Sequence, residues 1–195
     1  MNKRLYRFMR ALLRPFYALF FPAQVDGLEN IPREGGFILC ANHCSNHDPF
    51  YLAVHEKERY LHFMAKSNLF RWKFVGAFFS ALGAFSVDRC NSDLAAIRIA
   101  MKILKEGHGL AIFPQGTRVK DNHPAPMLEG VSMIAMRANV PVIPAYIGGP
   151  YRLFRKTQLS FGPPVSFEGL PRRVDSDTLD KATWRIEAAV WSLKR

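Results

Sequence analysis

Five short apolar runs alternate with longer amphipathic segments along this chain, and that alternation restricts the fold more than any other feature. GGFILCA (Gly35 to Ala41), YLHFMAK (Tyr60 to Lys66), AFSVD (Ala84 to Asp88), GLAIFP (Gly109 to Pro114) and VPVIPAYI (Val140 to Ile147) each read as a strand. Helical patterns lie between and after them: one opened by Asp48-Pro49, then Asn68 to Leu82, Ser92 to Glu106, Glu129 to Ala138 and Thr178 to Lys194. Asp48 suits an N-cap and Pro49 the first helical position. The two prolines of VPVIPAYI predict an edge strand or an irregular ending. Gln158 to Phe167 has room for one further strand or two. Strands alternating with helices predict an α/β fold, a single-domain layered sheet flanked by helices. Its length, 195 residues, suits one domain.

The first 24 residues stand apart. Arg4, Arg7, Arg10 and Arg14 recur at spacings of three and four and, at about 100° per residue, share one helix face. Leu5, Phe8, Met9, Leu12, Phe16 and Phe20 fill the other. A basic face opposite a Phe/Leu face suits a helix lying among lipid headgroups. The alternative is a helix packed on its own domain with solvated arginines. Pro15 should kink or divide it. The segment does not suit a signal peptide, since arginines recur inside the apolar region and no small-x-small cleavage site follows. Residues 1–24 are therefore expected to be a membrane-associating helical segment, and 25–195 the folded domain.

Lys and Arg total 27 against 16 acids, a formal charge of +11, which calls for an anionic partner: a membrane surface, a phosphorylated substrate or nucleic acid. Three cysteines without paired spacing argue against a disulfide scaffold. No apolar run reaches the roughly 18–20 residues of a spanning helix.

The densest chemistry lies in NHCSNHDPF, Asn42 to Phe50. Cys40, His43, Cys44, His47 and Asp48 are all possible metal ligands, though no CxxC pair accompanies them. Cys44 is a conceivable nucleophile beside His43, but neighbouring side chains usually diverge. His43 and Asp48 are five apart, about 140° on a continuous helix, which separates them. Placed across a strand-to-helix turn, the same spacing lets Asp48 fold back and orient the imidazole, as in a hydrolase triad. An N-cap aspartate beside surface histidines explains the stretch equally well. On this stretch alone the four readings stay open.

Three further stretches bear on it. GAFSVDR (Gly83 to Arg89) and IFPQGTR (Ile112 to Arg118) each carry an arginine just past a strand, where the ligand crevice of an α/β sheet forms. Guanidinium matches phosphate geometry, and Gly116 allows close backbone approach to a ligand. VPVIPA (Val140 to Ala145) is the third. In this order, NHCSNHD, GAFSVDR, FPQGTR and VPVIPA resemble the four blocks of the glycerolipid acyltransferases, most closely those acting on 1-acylglycerol-3-phosphate. The likeness runs from about Gly35 to Ile147. It implies a glycerol-3-phosphate acyltransferase-like fold and acyl transfer from acyl-CoA or acyl-carrier protein to a lysophospholipid hydroxyl. His43 would be the general base and Asp48 its orienting acid. Arg89 and Arg118 would hold the acceptor phosphate, with Lys66, Gly116 and Thr117 beside them. One position departs: the family's third block carries Glu where this chain has Gln115, a residue expected to contact the acceptor hydroxyl. Gln keeps a carbonyl acceptor but loses the charge, so a sister activity on glycerol-3-phosphate or another lysolipid is the alternative.

The resemblance further implies a site at the cytoplasmic face of the cell membrane, peripheral or monotopic, with no cofactor, metal or nucleic acid. The competing class is a non-catalytic basic module for anionic lipid or nucleic acid. No nucleic-acid motif supports it, and the basic residues are spread along the chain. The aromatic segment NLFRWKFVGAFFSALG reads equally as an acyl-chain groove, a membrane-facing helix or ordinary core.

Overall fold

The structure, a computed structural model, describes residues 1–88, 93–120, 122–171 and 173–195. Six α-helices and seven strands are present among them: α1 Lys3–Phe20, β1 Ala23–Asp26, β2 Phe37–Ala41, α2 Asp48–His55, β3 Leu61–Lys66, α3 Lys73–Ala81, β4 Ala84–Val87, α4 Leu94–Lys105, β5 Gly109–Ile112, α5 Gly130–Ala138, β6 Val142–Ile147, β7 Thr157–Phe161 and α6 Ser176–Ser192. The strands form one mixed sheet in the order β1-β7-β6-β2-β5-β3-β4. β6, β2, β5, β3 and β4 run parallel, and β7 turns antiparallel against β6.

β2 explains the architecture. All five of its residues are buried, because both sheet faces are covered. Phe37, Leu39 and Ala41 face Tyr17 of α1 and Tyr51, Leu52 and Val54 of α2. Ile38 and Cys40 face Ala100 and Ile103 of α4, Ile134 of α5 and Ile186 of α6. A period of two in a doubly covered strand gives an unbroken apolar run, as FILCA reads. β2 is also where the chain changes direction across the sheet: the elements after it fill one side with β3, β4 and β5, then β6 pairs on its other edge. The crevice at such a switch point receives ligands in open α/β sheets.

Four details differ from the sequence reading. Pro15 lies inside α1 without dividing it. Ala11 and Pro15 are both exposed, so the carbonyl that proline leaves without a donor has access to solvent. The aromatic segment is two pieces, a 3₁₀ turn Ser67–Phe70 followed by α3. β6 is an interior strand despite its prolines. Its ladder with β7 starts at Ala145, one residue past Pro144, so the missing N–H falls where that ladder needs no donor. The carbonyl of Pro144 accepts the Gly162 N–H at 2.8 Å. Finally, β1 was not anticipated; its four residues pair with β7 at the outer edge.

His62 on β3 gives a stability prediction. Its Nδ1–H donates to the Gly83 carbonyl at 3.1 Å, and Nε2 is buried without a partner among the described residues. Burial first, then the neighbouring His108 and the amino terminus, push its pKa down from 6.5 to about 4, against the Gly83 carbonyl and then Glu106. Between those values the unfolded chain binds a proton that the folded chain refuses. The contribution is therefore fully present above pH 6.5 and is lost as pH falls toward 4, by about 2–3 kcal/mol. Urea midpoints at pH 7 and pH 4.5 should fall further for the wild type than for His62→Gln.

Candidate active site

The turn between β2 and α2 brings His43, Cys44, His47 and Asp48 to the end of the sheet. Asn42, the first residue past β2, is fully buried and ties the ends of two strands together. Its side chain accepts the Ile147 N–H at 2.7 Å and donates to the Ile147 carbonyl at 2.9 Å. It also donates to Asn122, whose own amide reaches Tyr146 and Ile147. His43 follows, and the β5–α5 loop clamps its backbone. The Gln115 side-chain oxygen accepts the His43 N–H at 2.6 Å, and the His43 carbonyl accepts the Val119 N–H at 2.8 Å.

The chain then folds back, and the carboxylate of Asp48 meets the His43 ring, Nδ1 to Oδ2, at 2.7 Å. The same Oδ2 accepts the N–H groups of Cys44 and Ser45, each at 2.8 Å. Oδ1 accepts the Tyr151 hydroxyl at 2.9 Å and the Cys44 thiol at 3.6 Å. A carboxylate only accepts, so Nδ1 of His43 carries a proton, and in the neutral ring the lone pair is on Nε2. The imidazole stacks on Phe113, centroids 4.3 Å apart, which fixes its plane.

This geometry bears on each reading of NHCSNHDPF. Asp48 does not cap α2: the cap position is His47, and the carboxylate turns upstream to Cys44 and Ser45. His47 is turned away, its Nδ1 3.0 Å from the Tyr17 hydroxyl. The Cys44 thiol is pushed up to about 12, by burial first and then by the Asp48 carboxylate, so it stays protonated and is a poor nucleophile. Cys40 faces the opposite side of the sheet, so the five possible ligands do not converge. Among the described residues no group of three or more such side chains could hold a metal ion.

His43 lines a cavity of about 730 Å³, within the range of small-molecule sites. One part of its wall is polar: His43, Asn46, Lys66, Gly116, Thr117 and Arg118. Arg118 donates to the Asn46 side chain at 2.8 Å. Gly116 holds a left-handed φ of +67°, which turns the loop along the wall. Apart from Tyr6 and Arg10 of α1 the rest is apolar, from Met9 and Leu13 of α1, Phe50 and Val54 of α2, Leu69, and Phe79 of α3.

Of the residues expected at the site, His43, Asp48, Lys66, Gly116, Thr117 and Arg118 come together at the strand ends. Gln115 is not among the residues that line the cavity. It is buried behind the wall, its oxygen engaged by the His43 backbone and its Nε2 without a partner among the described residues. Arg89 lies outside the described residues. Tyr151 and Asn122 were not anticipated.

Comparison with known proteins shows the class: this is an acyltransferase. The acyltransferase family model matches residues 22–148, and the chain belongs to that family. It is 33% identical over 177 residues to the 1-acyl-sn-glycerol-3-phosphate acyltransferase of Bacillus subtilis (strain 168), covering 87% of this chain and 88% of that one. The enzyme of the same name from Streptococcus pneumoniae is 27% identical over 194 residues, covering 95% and 72%. The crystal structure of the 1-acyl-sn-glycerophosphate acyltransferase PlsC from Thermotoga maritima superposes with a TM-score of 0.69 at 28% identity, covering 98% of this chain and 78% of that one.

Proposed function

We propose that this enzyme moves a fatty acyl group from acyl-CoA or acyl-carrier protein to the free hydroxyl of 1-acylglycerol-3-phosphate, giving phosphatidic acid. The observation that carries the reading is the 2.7 Å His43–Asp48 contact on the wall of a cavity that joins Lys66 and Arg118 to an apolar chamber. Lys66 and Arg118 suit a phosphate, and the apolar wall suits an acyl chain. His43 Nε2 takes the acceptor hydroxyl proton as the oxygen attacks the thioester carbonyl. Asp48 stabilises the resulting imidazolium. The tetrahedral intermediate collapses with cleavage of the C–S bond, and the thiolate leaves with the proton from His43. One ester and one free thiol result, with no acyl-enzyme.

Gln115 bears on the choice of acceptor. Its oxygen serves the His43 backbone, a task glutamate could perform as well, so its presence gives little reason to expect a different substrate. A panel of 1-acylglycerol-3-phosphate, glycerol-3-phosphate and lysophosphatidylcholine, read by thiol release from acyl-CoA and acyl-carrier protein, tests the reading. The first acceptor should be fastest; preference for another points to the sister activity.

Tyr151 acts through Asp48 as a positioning residue. Hydrogen bonds to charged groups contribute about 1.5–3 kcal/mol, so Tyr151→Phe should lower kcat about tenfold or more. The KM for acceptor should change little, because the lost hydroxyl bonds Asp48 and not the cavity wall.

The lipid-surface reading of α1 takes a modified form. One face of the helix packs inward through Tyr6 and Tyr17, and Arg10 leaves the basic face to donate to the Glu56 carbonyl at 3.0 Å. Phe8, Leu12, Phe16 and Leu19 remain as an exposed apolar stripe, with exposed Arg4, Arg7 and Arg14 along the helix beside it. Trp72 and Phe74, 76% and 92% exposed, project at and just before the start of α3, which with α1 encloses the cavity. No helix among the described residues is long and apolar enough to cross a membrane. Adsorption of α1 and α3 to the cytoplasmic face of a bilayer would bring the cavity close to its lipid substrate.

A further inference from the structure

The loop between β6 and β7 carries an apolar tip that neither the cavity nor the core uses. Leu153 and Phe154 are 60% and 64% exposed, and Arg152, Arg155 and Lys156 around them are exposed as well. The sequence holds no acidic residue between Glu129 and Glu168, so no carboxylate of this stretch offsets the three cations. Phe154 sits at a φ of +59°, a left-handed conformation that aromatic residues rarely adopt. Two contacts hold it there: its N–H donates to the Phe20 carbonyl at 2.8 Å, and its ring lies 5.7 Å from that of Phe20. The Phe20 ring in turn lies 5.1 Å from Phe16. The tip therefore prolongs the exposed stripe of α1 past the end of the helix.

We propose that this loop is a second lipid-inserting element, with Leu153 and Phe154 entering the acyl boundary of an anionic bilayer and Arg152, Arg155 and Lys156 binding its headgroup phosphates. The charge pattern favours that occupant, since apolar side chains flanked by cations match the two layers of an anionic interface. A second copy of the chain seated symmetrically on this face would oppose cations to cations. The proposal extends the reading that α1 lies on the membrane and stands on its own residues, Leu153, Phe154 and the three cations. It adds a contact at the C-terminal end of α1, a helix about 27 Å long for its 18 residues, whose other end meets α3 through the Asn2 N–H and the Ala81 carbonyl. Tyr151, which holds Asp48, lies in this loop immediately before Arg152, so the lipid contact adjoins a residue bonded to the catalytic turn.

Cosedimentation of the full chain with phosphatidylglycerol–phosphatidylcholine vesicles tests this. Leu153→Ser/Phe154→Ser should raise the lipid concentration for half-binding about tenfold. Arg152→Gln/Arg155→Gln/Lys156→Gln should weaken binding to these vesicles by about tenfold or more and leave binding to pure phosphatidylcholine unchanged. In Leu153→Trp, brominated lipids should quench more fluorescence than in the wild type. Unchanged binding of both loop variants, or no added quenching, overturns the proposal. A parallel Phe8→Ser/Leu12→Ser variant separates the two ideas. If it binds poorly while the loop variants bind normally, the α1 reading stands and the loop proposal fails. If it binds normally while the loop variants do not, the loop stands and the α1 reading falls.

Discussion

His43→Ala should abolish turnover to within the background, a loss of about 10³-fold in kcat, since positioned general bases contribute 10²–10⁴-fold. The expectation rests on where the residue sits. Its ring is on the cavity wall, its Nδ1 is held by Asp48, and its plane is fixed by Phe113. Among the described residues no other imidazole lines the cavity: His47 meets the Tyr17 hydroxyl, and His62 faces Gly83 and His108. The backbone of residue 43 is tied by Gln115 and Val119, so truncation leaves the turn in place. Binding of the acceptor, measured by equilibrium dialysis, should survive because Lys66 and Arg118 are untouched. Loss of binding together with turnover would mean that His43 shapes the pocket and does no proton transfer.

Asp48→Asn should be nearly as damaging and for a different reason. The wild-type carboxylate accepts five donors: the His43 ring, two backbone N–H groups, the Tyr151 hydroxyl and the Cys44 thiol. An asparagine has one acceptor oxygen and an NH2 that must face some of those donors. If the NH2 faces His43, it selects the tautomer with the lone pair on Nδ1 and the proton on Nε2, which is the wrong form for a base. A loss of about 10²–10⁴-fold in kcat follows. Stability should also fall, by about 2–4 kcal/mol, because buried donors lose a charged partner. The urea midpoint checks the second effect and thiol release the first. A variant that keeps full stability and full activity would remove Asp48 from the mechanism.

The same turn shows what a sequence can and cannot convey here. FILCA announces a doubly covered strand because every one of its positions is apolar, and β2 is that strand. The pairing of His43 with Asp48 depends on a reversal that no helical or strand period describes. The residues pointed to it only once the four blocks were taken together. Tyr151 had no such signal: it is a lone tyrosine after Gly-Gly-Pro, beyond the last block, and reaches Asp48 from 103 positions away. Gln115 shows the complementary limit. Its position beside the cavity loop was legible, yet the direction of its side chain was set by an orphan N–H on His43. β1 has only four residues, AQVD, half of them polar, and forms because β7 offers it an open edge. β6 reads as an edge strand from its prolines, but pairing is decided residue by residue, and Pro144 falls just outside its ladder with β7.

The most direct test of the account follows thiol release and phosphatidic acid together after rapid mixing of the wild-type enzyme with acyl-CoA. With 1-acylglycerol-3-phosphate present, thiol and phosphatidic acid should appear at the same rate, one for one, and His43→Ala should form neither. Without acceptor, no thiol should be released. A burst of thiol before acceptor is added, matching the enzyme concentration, would reveal an acyl-enzyme and contradict direct transfer assisted by His43 and Asp48.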